Sequence, residues 1–413
     1  MKKRILALSL AAAMVVGALA SCNGSETPVT SSQEAVEARD VSLVLWGSQE
    51  DQDYLKEVAA DFCTKYAADH EDVKSVAIEV QVVGEDNSAN EVMKDPAAAA
   101  DVFGMPTDQI KRLADAKAIF AMPDDVAADI KAFVGQANYD GTVYDGKSYG
   151  YPYTVNIAQA LYYNTDVFTE EDVASLNKML EKDIGDVKAF GIDAGAFHSA
   201  TWYFTGGAEL FTNSDKNVCT FDNDDSVAIL KFVQENKDKI FIKGGDAANM
   251  IKDGKLAAWG DGSWAVQGMK AAFGDKMGVA KMPTITVDGK DYQMKCFGGV
   301  KFYAVNAASK EPEVAIALAQ FISNEENQMK RYEMRQAIPT AVSLQDNAKI
   351  KEDPSVKAYA EQMAFTVVQS PVIPGGWWDD SKALFESIYN GEVAADDIKA
   401  KVAEHVASWK TME

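Results

Sequence analysis

The stretch from Val41 to Met105 constrains the fold most, because its hydrophobic period switches between strand and helix four times. VSLVLW, Val41 to Trp46, is a short apolar run suited to a strand covered on both faces. In DQDYLKEVAADFCTKYAADH, Leu55, Val58, Ala59, Phe62 and Tyr66 then fall on one helical stripe. Val76, Ile78, Val80 and Val82 alternate as a second strand, and after a further helix-like stretch ADVFGM, Ala100 to Met105, reads as a third. Strand, helix, strand, helix, strand implies a parallel sheet, since parallel neighbours need a crossover. The fold class is therefore α/β.

In open parallel sheets ligands bind beyond the carboxyl ends of the strands. Pro106-Thr107-Asp108 lies at such an end. Thr107 is placed to cap the helix QIKRLADAKAI. Asp108 either meets a ligand or complements a helix dipole.

The region from about Val155 to Gly278 is mixed: helical stretches such as VAILKFVQENKDKI, polar turns, and the short apolar run KLAAW as another strand. MGVAKMPTI and KFYAVNA read as strands, and EPEVAIALAQFISNEENQMKRYEM as one helix. After Pro339 the pattern is mostly helical, in SVKAYAEQMAF, SKALFESIY and ADDIKAKVAEHVASW.

The chain starts with Lys2, Lys3 and Arg4 and an apolar run from Ile5 to Ala20, too short for a comfortable membrane span. Residues 1–21 read as a signal peptide. Leu19-Ala20-Ser21-Cys22 resembles the bacterial lipobox, which implies cleavage before a lipidated Cys22. Residues 22–40 are polar and without aromatics, which makes them a flexible tether.

The chain after cleavage, about 390 residues, is large for one core, so two lobes are expected. A formal net charge of -23 disfavours nucleic acid and polyanions and favours a neutral or cationic partner. Cys63, Cys219 and Cys296 are too scattered for a disulfide framework or a zinc motif, and His70, His198 and His405 form no metal-ligand pattern. They read as free thiols, and no metal or cofactor is called for.

KSYGYPY, ALYYNTDVF, WGDGSWAVQGM, MGVAKMP and FYAVNAASKEPEVAIALAQFISNEENQ, in this order and spacing, resemble the extracellular solute-binding proteins of ABC importers, most closely the maltose/maltodextrin-binding family. The resemblance implies a two-lobe periplasmic-binding-protein fold of type II-like form, with three hinge crossings and the ligand in the cleft between lobes. Lobe one would be residues 41–153 and 283–323, and lobe two residues 154–282 and 324–413. The implied function is capture of an oligosaccharide, a maltodextrin-type α-glucan first, by hinge closure. A monomer, lipid-anchored at the cell surface or on the periplasmic side of the cytoplasmic membrane, would hand it to an ABC permease. Another sugar, a peptide or a polyamine stands as the alternative; a glycoside hydrolase stands behind these, since its two carboxyls must face each other across the scissile bond.

A neutral glycan offers hydroxyls at its edge and aliphatic C–H groups on its face, and an indole suits the face. The resemblance places Trp264, in WGDGSWA, and Trp377 and Trp378, in IPGGWWDD, as stacking rings. It also brings Asp108, Asn156, Gln49 and Glu50 to polar contacts, Met105 to a position where the maltose binder carries an aromatic, and Phe197 and His198 to the lobe-two rim. Trp46 and Trp259 read as core, as do Tyr151 and Tyr153.

Overall fold

The computed structural model describes residues 38–212 and 215–412, without the side chains of residues 156 and 157. The expected signal peptide, Cys22 and most of the tether lie outside the described residues. In chain order the strands are β1 Arg39–Gly47, β2 Val73–Val82, β3 Val102–Pro106, β4 Val143–Tyr144, β5 Lys147–Ser148, β6 Tyr151–Ile157, β7 Gln159–Asn164 and β8 Phe190–Ile192. They continue as β9 Ile240–Phe241, β10 Ala258–Gly262, β11 Met277–Ala280, β12 Thr284–Val287, β13 Lys290–Gln293, β14 Cys296–Val305 and β15 Thr366–Val368.

Two sheets organise the chain. The first runs β15-β14-β3-β1-β2, with β6 also paired to β14. The second runs β11-β7-β10-β8-β9. In the first, β1 is parallel to both β2 and β3, as the alternating pattern requires, and β14 returns antiparallel to β3. The order β2-β1-β3 makes the gap between β1 and β3 a point where the winding reverses, the place where such sheets bind ligands. In the second sheet β8, β9 and β10 are parallel, and β7 runs antiparallel to both of its neighbours, β10 and β11.

The period-two reading of VSLVLW is visible in the packing. Val41, Leu43 and Leu45 point into one core with Tyr54, Leu55, Val58 and Phe62 of the helix Gln52–Asp69. Trp46 points the other way, with Phe103, Met105 and Phe302. Sheet one is thus covered on both sides. Sheet two has its own pair of cores, one around Phe190, Trp202 and Phe221 and one around Trp259 and Val266.

β6 and β14 tie the two halves together. β6 carries Tyr151 and Tyr153 in the first core, and the chain runs on directly into β7 of the second sheet. β14 starts with Phe297 in the core of the second half and ends with Val305 in that of the first.

Several elements depart from the sequence expectation, each for a local reason. β1 begins at Arg39, inside the expected tether, because Arg39 pairs with Glu311 and its N–H donates to Asp72 O. Thr107 does not cap a helix: it starts a short 3-10 turn, and its hydroxyl donates to Gly141 O at 2.9 Å. The long helix expected after Glu311 is two, Pro312–Ile322 and Glu325–Arg335, because Asn324 accepts from Asn327 N and restarts the helix. The β12–β13 hairpin packs Ile285 and Val287 into the core of the second half. Helix Glu325–Arg335 instead lies on the first, where the Tyr54 hydroxyl donates to Asn327 O at 3.0 Å.

The IPGGWWDD segment is not a loop. Gly375–Asn390 is one helix whose Trp377, Ser381, Leu384, Phe385 and Ile388 form its buried stripe. Two glycines weaken helix propensity, but Pro374 before the first turn and the burial of Trp377 override that preference.

Candidate functional site

Two turns, a strand and a helix of the first half and one turn of the second converge on a small cavity lined by Ser48, Glu50, Asp51, Glu85, Ser263, Trp264, Lys301, Arg331, Arg335 and Ala337. Glu50 and Asp51 follow β1, Glu85 follows β2, and Arg331 and Arg335 project from helix Glu325–Arg335. Ser263 and Trp264 follow β10 from the other sheet.

The first-half side is a network of charges. Arg331 pairs with Asp51 and donates to the Tyr303 hydroxyl at 2.9 Å, while its guanidinium stacks 4.0 Å from the Tyr153 ring. Arg335 Nε donates to Asp51 Oδ1 at 3.1 Å. Glu85 accepts from Lys301 and from the Tyr153 hydroxyl, with Arg331 at 3.8 Å. Burial, with Arg335 beside it, pulls the Arg331 guanidinium down to about 9, still charged at neutral pH. Three acids, Glu50, Asp51 and Glu85, face three bases, Lys301, Arg331 and Arg335. The lining is charge-balanced although the chain is strongly acidic.

The second-half side is aromatic. Trp264, half-buried, meets Phe197 edge-on at 5.6 Å between ring centroids. Phe197 stacks at 5.7 Å on the fully buried Phe297, and Trp378 covers Phe297 at 5.8 Å. Phe197 and Trp378 thus share one buried ring beneath them, and Trp264 leans on Phe197. Trp264 is set by its turn: its ring lies directly on Gly262, where no Cβ would fit. Asp261 locks that turn, accepting from Gly262 N–H at 2.7 Å and Trp259 Nε1 at 2.9 Å, with His198 Nε2 at 3.1 Å. Burial works against the Asp261 charge, but these hydrogen bonds hold its carboxyl below the usual range.

Of the residues expected from sequence, Trp264 and Glu50 line the cavity, and Phe197 and His198 flank Trp264. Trp378 joins through Phe297. Gln49 is exposed on the same 3-10 turn as Glu50. Trp377 and Met105 are corrections. Trp377 is 0% exposed between Phe221, Phe297 and Trp409, and Met105 is 0% exposed under Trp46 and Phe103, so neither side chain can touch a ligand. The backbone of Asn156 is in β6, and its side chain lies outside the described residues.

Asp108 stands apart from the cavity, in the neighbouring turn. Gln109 binds that turn to the Glu85–Asp86 backbone, donating to Glu85 O at 3.1 Å and Asp86 O at 2.7 Å. One Asp108 carboxylate oxygen is buried without a partner, and burial pushes the carboxyl up to about 7.

Sequence reasoning missed Glu85, Lys301, Arg331 and Arg335. Each is an ordinary charged residue in a strand, turn or helix. Only the fold brings Asp51 and Arg331 together across 280 positions of chain.

Among known proteins, residues 61–358 match a family described as bacterial extracellular solute-binding protein. The chain belongs to the bacterial extracellular solute-binding proteins. Members of this family bind solutes rather than transform them. A galactooligosaccharide-binding protein of Bacillus subtilis (strain 168) is 28% identical over 98% of this chain and 96% of its own length. A maltooligosaccharide ABC transporter solute-binding lipoprotein of Streptococcus pneumoniae (strain ATCC BAA-255 / R6) is 27% identical over 64% of this chain and 67% of its own. The solved structure of the maltodextrin-binding protein MalE1 from L. casei BL23, without ligand, superposes with a TM-score of 0.77 at 27% identity. It covers 89% of this chain and 98% of that one. The two-sheet architecture is therefore the two-lobe fold of maltose-binding-type periplasmic binding proteins, and the cavity lies between turns of the two lobes.

Proposed function

We propose that this solute-binding protein is the receptor of an ABC importer for an uncharged oligosaccharide, tethered outside the cytoplasmic membrane through a lipid on Cys22. The observation that carries the reading is the half-buried Trp264, backed by Phe197, facing a polar lining whose charges cancel; Trp378, on the same buried Phe297 as Phe197, is the next ring proposed for the ligand. Rings match the aliphatic faces of sugars, and a balanced set of donors and acceptors matches hydroxyls without favouring an ion. A polyamine would need an excess of carboxylates in the cleft. The lining does not offer one.

A micromolar ligand corresponds to about 8 kcal/mol, and each aromatic contact adds roughly 0.5 to 1.5 kcal/mol beyond area burial. Three rings and several hydrogen bonds together reach that range. A maltodextrin-type α-glucan is the first candidate, in keeping with the names of one relative and the superposed structure. A galactooligosaccharide is the second, in keeping with the relative that spans nearly the whole chain. The protein acts as a monomer that closes about β6, β14 and the chain near Asp353 and delivers its cargo to the permease. In this division the β12–β13 hairpin moves with lobe two and helix Glu325–Arg335 with lobe one.

Calorimetric titration of the mature chain with maltotriose, galactotriose, cellotriose and xylotriose tests the ligand class. Heat with one or more of these trisaccharides is the expected result. Heat only with a peptide or spermidine overturns it.

A further inference from the structure

Trp264 has two ring faces, and both have neighbours. One lies on Gly262, sealed by the backbone of its own turn. The other looks across to lobe one, where the Lys301 ammonium stands 5.3 Å from the ring centroid. Phe197 is inclined 61° to the indole and so stacks parallel on neither face. A sugar ring that stacks on this indole must therefore use the plane over which Lys301 sits, and an ammonium and a pyranose cannot share it.

Lys301 is held in that place by more than the ring. Its backbone is fixed in β14 opposite Pro106 of β3 and Thr154 of β6, and its ammonium pairs with Glu85. Glu85 does not depend on it alone, because the Tyr153 hydroxyl also donates to Glu85 and Arg331 is near. The ammonium can leave the ring without stranding a buried carboxylate.

We propose that Lys301 is a specificity-determining residue that competes with the ligand for the open face of Trp264. This rests on the oligosaccharide reading given above. Every ligand that uses the indole first displaces the cation and so loses the same cation–ring attraction. Only a ligand with an apolar ring face regains it. Solutes that offer hydrogen-bonding groups alone are disfavoured, which lets a cleft with six charged side chains select an uncharged glycan.

The test is a double-mutant cycle by calorimetry on the mature chain, with maltotriose and galactotriose as probes. It compares the native protein, Lys301→Ala, Trp264→Ala and the double variant. Lys301→Ala is expected to tighten binding about three- to tenfold, the size of a partly buried cation–ring contact. That gain is expected to vanish when Trp264 is also Ala. Lys301→Gln, checked for folding by circular dichroism, repeats the test should the alanine variant unfold. Weaker binding in Lys301→Ala overturns the proposal, because Lys301 would then be a direct ligand contact. A gain that persists without Trp264, or sugar binding that Lys301→Ala leaves unchanged, also sinks it while leaving the oligosaccharide reading intact. Binding of neither trisaccharide to the native protein removes that reading, and this inference falls with it.

Discussion

The two walls of the cleft are built on opposite principles. The lobe-two wall presents Trp264 against Phe197, which is seated with Trp378 on the buried Phe297, so its shape is set by packing within one lobe. The lobe-one wall presents charges whose positions are set by one another, through Asp51, Arg331 and Glu85. One wall supplies contact area; the other supplies fixed donors and acceptors. Lys301 over Trp264 and Gln267 beside Arg335 are where the two walls meet.

The largest effect that sharpens this contrast concerns the adjacent tryptophans Trp377 and Trp378. Trp377 is a core residue, so Trp377→Ala is expected to lower unfolding free energy by about 3–5 kcal/mol in urea melts. Trp378→Ala, on a half-buried ring, is expected to cost clearly less stability. Equal costs would erase the distinction between the buried and half-buried members of the pair.

On the charged wall, Asp51→Ala leaves the buried Arg331 with Glu85, at 3.8 Å, as its one remaining carboxylate among the described residues. The expected loss is about 3 kcal/mol by the same measurement, since removing one partner strands a buried charge. A loss below about 1 kcal/mol would mean that solvent reaches the guanidinium and the wall is not rigid.

Asp108 gives a pH-dependent test. Its carboxyl is pushed up to about 7 in the folded protein, so between the unfolded value near 4 and pH 7 the native state binds more protons than the unfolded one. The sign follows: this residue makes the fold less stable as pH rises through that window. Asp108→Asn is expected to match the native protein at pH 4 and to be clearly the more stable of the two at pH 8. Identical pH profiles would show that the carboxylate finds solvent or a partner.

The smallest effect is Trp264→Ala, expected to weaken trisaccharide binding about tenfold. Its cost in stability should be well below that of Trp377→Ala.

Much of the fold was legible because it follows from period. Val41, Leu43 and Leu45 against Trp46 declare a strand covered on both sides, and the Leu55, Val58, Ala59, Phe62 stripe declares the helix that covers it. The rings of the cleft were partly legible, since an indole after a glycine turn, as at Trp264, has few structural uses. Trp377 was misplaced for a physical reason: a Gly-Gly pair masks a helix start, and without the helix its inward phase cannot be read. Met105 was misplaced because the last residues of a doubly covered strand can point into the core as readily as toward the ligand. Of the charged wall, only Glu50 was legible. Its ion pairs join residues from remote parts of the chain, and no local pattern separates Arg331 or Lys301 from a solvated charge.

The most direct test of the central claim is a crystal structure of the mature protein with a bound trisaccharide. Sugar rings stacked on Trp264 and on Trp378, with hydroxyls directed at Glu50, Glu85 or Arg335 and the Lys301 ammonium moved off the indole, is the expected result. A sugar bound elsewhere, with both indoles untouched, would contradict the account.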